Sequence, residues 1–203
     1  MPTNHSPDSL RTPLVRLLGI AHPIIQAPMA GGPSRPALVA AVSAAGALGA
    51  FGHAYTQPEA MRRDAEAVRA ITDAPFQINL FASPQPAALA ADRQSAAIAA
   101  MAAYYAERGL AAPQPVLPPF APDFDAQLDA VATIRPAVLT VHLGELSEAR
   151  IEAFKALGIR LGASATNVAE AKRAEQLGMD YVVAQGGEAG GHRGSYLRDP
   201  YES

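Results

Sequence analysis

Six short apolar runs, separated by alanine-rich stretches of helical period, leave few folds open to this chain. The runs are PIIQAPM (23–29), ALGAF (47–51), FQINLF (76–81), AVLTVHLG (137–144), IRLGASA (159–165) and DYVVAQ (180–185). Each has strand length and is predominantly apolar rather than strictly alternating. Ser34 and Pro36 supply an N-cap and a first-turn proline for the helix that Gly46 ends. Gly158 and Gly178 stop two later helices directly before the strands that follow. Buried strands alternating with helices form a parallel sheet covered by those helices. A doubly wound sheet and a barrel both satisfy that order.

The alternation is interrupted once. Residues 86–108 read as an alanine-rich helix closed by Gly109, followed by Pro113, Pro115, Pro118, Pro119 and Pro122 and then by the helical stretch DFDAQLDAVATI. We read 82–135 as a helical, proline-rich insertion within one domain spanning 1–203, and insertions of this kind often lie over a site. The first ten residues are a polar tail, and TPLVRLLGI is expected to cover one end of the domain. After Gln185 the sequence offers a glycine-rich loop and then GSYLRDPYES.

Composition removes several classes of function. A length of 203 residues suits one domain with a sizeable core. The net charge of −3 gives no electrostatic reason to expect nucleic acid or an anionic membrane as partner. No apolar run reaches the roughly 18 residues of a membrane span. The N-terminus has neither a basic nor an apolar leader segment, so the cytoplasm is the expected location. Cysteine is absent, which removes disulfides, thiolate ligands and a cysteine nucleophile.

In parallel α/β folds the chemistry gathers at the carboxyl ends of the strands. His53, His142 and His192 fall on that side, with Asn79 late in the third run and Gln185 at the end of the sixth. His5 and His22 do not. His53 reads more naturally as a loop or supporting residue than as a catalyst. His142 can cap a strand or line a pocket. Three histidines from three loops, without supporting carboxylates, make a poor metal site, and no metal is expected. Asn79 is harder to place in a plain core, because a buried amide needs partners. His192 stands out within VVAQGGEAGGHRG, whose glycines let a large group approach the backbone, and an imidazole serves as base, acid or donor near neutral pH.

PIIQAPMAGG, INLF and VVAQGGEAGGHRG, in this order and spacing from about residue 14 onward, resemble the nitronate monooxygenase family, formerly called 2-nitropropane dioxygenases. The resemblance implies a TIM (β/α)8-type barrel, of which about six of eight βα units are present here, since a closed barrel typically takes about 250 residues. It implies FMN at the carboxyl face, with Met29 packing along the flavin and Asn79, Gln185 and Gly190 bonding it. His192 matches the histidine that contacts substrate and acts as base, and His142 a polar residue beside the substrate or flavin. The implied reaction is oxidation of an alkyl nitronate, with dioxygen as co-substrate, to a carbonyl compound and nitrite. Flavin-dependent enoyl-acyl-carrier-protein reductases and NAD(P)H:quinone reductases of the same superfamily are the alternatives, as is a truncated, non-catalytic chain that persists by pairing with another chain. Exposed sheet edges would also allow a homo-oligomer.

Overall fold

Local sequence decides where most elements begin and end in the computed structural model, which describes residues 11–82 and 90–197. Helix α1 (Pro13–Leu18) opens on Thr12, whose hydroxyl accepts from Val15 N–H at 3.2 Å. Gly19, at φ +67°, turns the chain out of it. Helix α2 (Pro36–Ala44) has Pro36 in its first turn, but its N-cap is Arg35 and no side chain caps it. The expected cap, Ser34, accepts instead from Met29 N–H and from Gln26 Nε2. Strand β1 (Gly49–Gly52), helix α3 (Pro58–Arg69) and strand β2 (Phe76–Phe81) follow.

Residues 90–121 form a compact unit of their own, built around α4 (Ala91–Glu107). Every described residue of this helix is at least partly exposed, and Gln94 Nε2 donates to the Val116 carbonyl at 2.9 Å. The start of the helix expected at 86 lies outside the described residues. Helix α5 (Phe124–Ile134) belongs to the other unit, residues 11–82 with 122–197, where it packs on α3. That unit continues with β3 (Val138–His142), α6 (Glu148–Ala156), β4 (Arg160–Ala165), α7 (Val168–Gln176) and β5 (Tyr181–Ala184). Gly158 and Gly178 both sit at φ +78°, and Ile159 N–H and Met179 N–H close back on Phe154 and Ala174 carbonyls, so helix ends and strand starts are fixed together.

The sheet is parallel throughout, in the order β1-β2-β3-β4-β5. A doubly wound sheet would reverse direction partway along this order; this one does not. The first apolar run does not become a strand. It contributes one parallel bridge, Ile25 to Leu48, after which the Gln26 side chain substitutes for backbone: Nε2 donates to Ala50 O at 3.0 Å and Oε1 accepts from Ala50 N at 3.4 Å. Pro28 cannot donate to a ladder, which helps end the pairing there.

One pair shows that the sheet curls. Tyr181 on β5 donates its hydroxyl to Gln77 Oε1 on β2 at 3.2 Å. In a flat sheet these strands would stand roughly 14 Å apart, with side chains perpendicular to the plane, and the two could not meet. The face carrying them is therefore concave. Gly162 on β4 makes room, since a Cβ there would lie 2.5 Å from the Tyr181 ring. The outer face, including Phe51, Ile78, Leu80, Leu139, Val141 and Leu161, is fully buried in the main core under the helices. Inside the curve, Leu48, Val138 and Tyr181 pack with Val15 and Leu18 of α1, so the N-terminal segment covers the end where strands begin. Above that layer lie Gln77, Asn79 and Thr140, all buried. No described helix is long and apolar enough to cross a membrane.

Candidate functional site

Register places the polar residues at one rim. Gly52 pairs with Asn79, Asn79 with Thr140, and Phe81 with His142, so β2 and β3 end at one level and β1 two residues short of it. Gln185 N–H continues the ladder from β5 to the Ala165 carbonyl. Asn79 is 7% exposed; its Nδ2 donates to Thr140 Oγ1 at 2.9 Å, and the Thr140 carbonyl lies at 3.4 Å. The buried amide expected to need a partner has one within the sheet.

The glycine-rich loop after β5 is tied down on its returning arm. The carbonyl of His192 accepts from His142 Nε2 and from Gln185 Nε2, both at 2.9 Å. Gln185 Oε1 accepts from Gly194 N–H at 2.7 Å. The bond to a carbonyl places the proton of His142 on Nε2, and burial lowers the pKa of that ring. The His192 imidazole is exposed and meets the Phe81 ring edge to face at 5.1 Å between centroids. Phe81 also contacts His142 at 5.6 Å and Tyr55 at 5.9 Å. His142, Gln185 and His192 therefore form one cluster, with the Phe81 ring against both imidazoles.

Farther along, Glu170 is fully buried at the start of α7. Its Oε2 accepts from Thr166 N–H at 2.7 Å and the Thr166 hydroxyl at 2.8 Å. Its Oε1 accepts from Tyr196 N–H at 2.9 Å and Leu197 N–H at 3.3 Å. Desolvation pushes this carboxyl upward, but the hydrogen bonds from Thr166, Tyr196 and Leu197 outweigh it and hold the pKa below the ordinary value. Sequence reasoning did not single out Glu170 or Phe81. The N-x-x-E spacing of Asn167 to Glu170 signals a capped helix start, and Asn167 Oδ1 does accept from Glu170 N–H at 3.0 Å. Nothing local reveals that the carboxylate reaches the loop beyond β5.

Beside this cluster a cleft of about 300 Å³ opens between the Met29–Pro36 turn and the loop after β1. Met29 and Tyr55 line it and are 38% and 55% exposed, so apolar surface faces the opening. A Cβ at Gly52 would lie 2.5 Å from Ala30 N, and only glycine lets these two segments approach so closely. His53 lies in the cleft wall, stacked on Phe51 at 4.6 Å, with Nδ1 3.1 Å from the Thr56 hydroxyl. Burial lowers its pKa to about 4. It is neutral near pH 7, and its 3.8 Å approach to Asp64 is not an ion pair there. Gln127 donates to the carbonyls of His53 and Thr56, both at 2.9 Å, fixing the loop that carries Tyr55. Gly190 is exposed, and no heavy atom would lie within 4 Å of a Cβ built on it. Leu143, next to His142, holds φ +64°, a strained conformation of the kind found beside functional residues. Among the described residues no group of three or more histidines and carboxylates is placed to hold a metal ion.

A parallel βα sheet curled around polar side chains, with a clamped glycine-rich loop at its carboxyl rim, defines the βα-barrel class of site-bearing folds. Within that class the assignment is specific. The chain belongs to the nitronate monooxygenase family, which matches residues 11–202. It is 41% identical over 192 residues to a nitronate monooxygenase of Paraburkholderia phytofirmans, covering 93% of this chain and 52% of that one. It is 41% identical over 184 residues to one from Pseudomonas aeruginosa, covering 89% and 52%. Among solved structures it is similar to a nitroalkane oxidase from Streptomyces ansochromogenes, with TM-score 0.80 and 33% identity over 94% of this chain and 53% of that one. FabK from Thermotoga maritima is similar at TM-score 0.66 and 27% identity, over 92% and 47%. The chain spans about half the length of the curated relatives it matches.

Proposed function

We propose that this rim is the substrate side of an FMN-dependent nitronate monooxygenase, with His192 as the catalytic residue. The observation that carries the reading is the rim cluster itself. An exposed imidazole, backed by the Phe81 edge, stands on a carbonyl fixed by two side chains, close to an aromatic and apolar opening.

The residues present fit a planar, partly polar ring. Met29 and Tyr55 offer apolar surface, Gly190 leaves its backbone open to close approach, and Asn79 would meet a ring N–H with its oxygen, its nitrogen being engaged by Thr140. Gln185 stands at the rim with both ends of its amide already bonding the loop. The start of α7 does not suit a phosphate, because Asn167 and the Glu170 carboxylate fill it. When bound, the flavin would supply the electron acceptor for the nitronate and the route to dioxygen.

The chain's own residues do the rest. The imidazole of His192 donates a hydrogen bond to an anionic nitronate oxygen, or takes the α-proton of a neutral nitroalkane at its unprotonated nitrogen. Phe81 and Tyr55 border the place where an alkyl chain would lie and keep water from it. A steady-state assay of the flavin-loaded protein with an alkyl nitronate, following nitrite, tests this reading. Nitrite release in proportion to nitronate consumed is expected. Oxidation of NADH or NADPH by an enoyl thioester or a quinone, with nitronate inert, would show that one of the reductase readings is right.

A further inference from the structure

We propose that His142 and Gln185 act as positioning residues for His192, clamping its backbone so that the imidazole stands in one place. The proposal rests on the reading of His192 given above and gives these two residues a task distinct from binding the flavin. Two donors from two different strand ends converge on one carbonyl, each at 2.9 Å. The Gln185 amide also accepts from Gly194, so it bridges residues 192 and 194 across Arg193. Both of its polar ends are engaged inside the loop, which is the geometry of a clamp. Gly194 is buried, and a Cβ there would lie 2.5 Å from His142 Cε1. Glycine at 194 thus lets the His142 ring reach the carbonyl at all.

The physical need is plain. The segment Gly186–Gly191 has four glycines and is exposed, so on its own it would sample many backbone states. His192 follows it directly, and the position of an imidazole is set by its backbone and two torsions. A misplacement of about 1 Å at a reacting group can cost on the order of 10²-fold in rate. Beyond the clamp, Glu170 holds Tyr196 and Leu197, and the Thr166 and Ser195 hydroxyls meet at 2.8 Å. The returning arm is therefore fixed from 192 to 197 by side chains outside it, whereas the outgoing segment carries an internal turn bond from Ala189 N–H to the Gly186 carbonyl at 3.2 Å.

The test uses the full-length flavin-loaded protein with His142→Leu, Gln185→Met, His142→Gln and His192→Asn, singly and with each clamp variant combined with His192→Asn. His142→Gln keeps an N–H the same number of bonds from the backbone as Nε2. We expect His142→Leu and Gln185→Met to lower kcat/KM for an alkyl nitronate by about 10–100-fold at unchanged flavin content. His142→Gln should recover most of that loss. Amide hydrogen exchange across 192–197 should quicken by about 10-fold in the two disruptive variants. The double variants should be no worse than His192→Asn alone, because the clamp works through that imidazole. Additive losses in the double variants, flavin loss at unchanged kcat/KM per bound flavin, or unchanged exchange would each overturn the proposal. If the wild-type protein consumes no nitronate, the reading of the site fails, and the exchange measurement alone decides whether the clamp exists.

Discussion

Replacing His192 with asparagine removes the imidazole and leaves the carbonyl that His142 and Gln185 hold. Turnover with nitronate should fall by about 10²-fold or more while bound flavin stays. Equal loss of flavin, read from its absorbance, would move the residue to cofactor binding. Two buried groups are expected to shape the acid limb of stability. His53 is neutral in the fold down to about pH 4, whereas in the unfolded chain it takes a proton near its ordinary 6.5. Its contribution is whole above that ordinary value, declines as pH falls toward 4, and is flat below; the loss is roughly 2–4 kcal/mol. Glu170 acts lower, because its folded pKa is depressed: its contribution holds above the ordinary carboxylate pKa and is lost as pH falls through the folded value. Urea midpoints against pH should show His53→Asn flattening the upper window and Glu170→Gln flattening the lower. An unchanged pH profile in either variant would remove that residue from the account. His192 and Asn79 were legible because a histidine among glycines, or an amide in an apolar run, breaks a local pattern. Glu170 and Phe81 break none, and their contacts join segments distant in sequence.

In the run FQINLF, Phe76, Ile78 and Leu80 belong to the helix-covered core while Gln77 and Asn79 face the curl. Its period of two was present in the sequence and carried the sheet's two environments. The first run misled for a physical reason: its pairing stops after one bridge, where the Gln26 amide takes over from backbone. No propensity encodes such a substitution. The curl depends on Gly162, so Gly162→Ala should destabilise by about 1–3 kcal/mol through collision with Tyr181, measurable by denaturant unfolding. Adding Tyr181→Leu should return part of that loss, and strict additivity of the two would contradict the close approach.

Sequential parallel order was legible from the alternation of elements, but the curl of the sheet was not, since it shows in contacts such as Tyr181 with Gln77 across three ladders. Among the described residues β5 pairs only with β4, and the other side of β1 carries only the Ile25 bridge and the Gln26 amide. Ile24 and Val183 are 59% and 43% exposed beside these edges. Residues 1–203 expressed alone should therefore self-associate on gel filtration and retain little FMN. A flavin phosphate normally gains several charge-assisted hydrogen bonds of roughly 1.5–3 kcal/mol each, and the start of α7 supplies none. A chain extended by two further βα units should be better behaved and hold its flavin. A monomeric short chain with stoichiometric FMN would place the phosphate site within the loop from Gly186 to Gly194. The most direct measurement of the central claim is an anaerobic titration of the flavin-loaded, full-length protein with an alkyl nitronate, followed at the flavin bands. Rapid bleaching is expected in the wild type, and bleaching about 10²-fold slower in His192→Asn at equal flavin content. Flavin bands unmoved by nitronate but bleached by NADH or NADPH would contradict that claim.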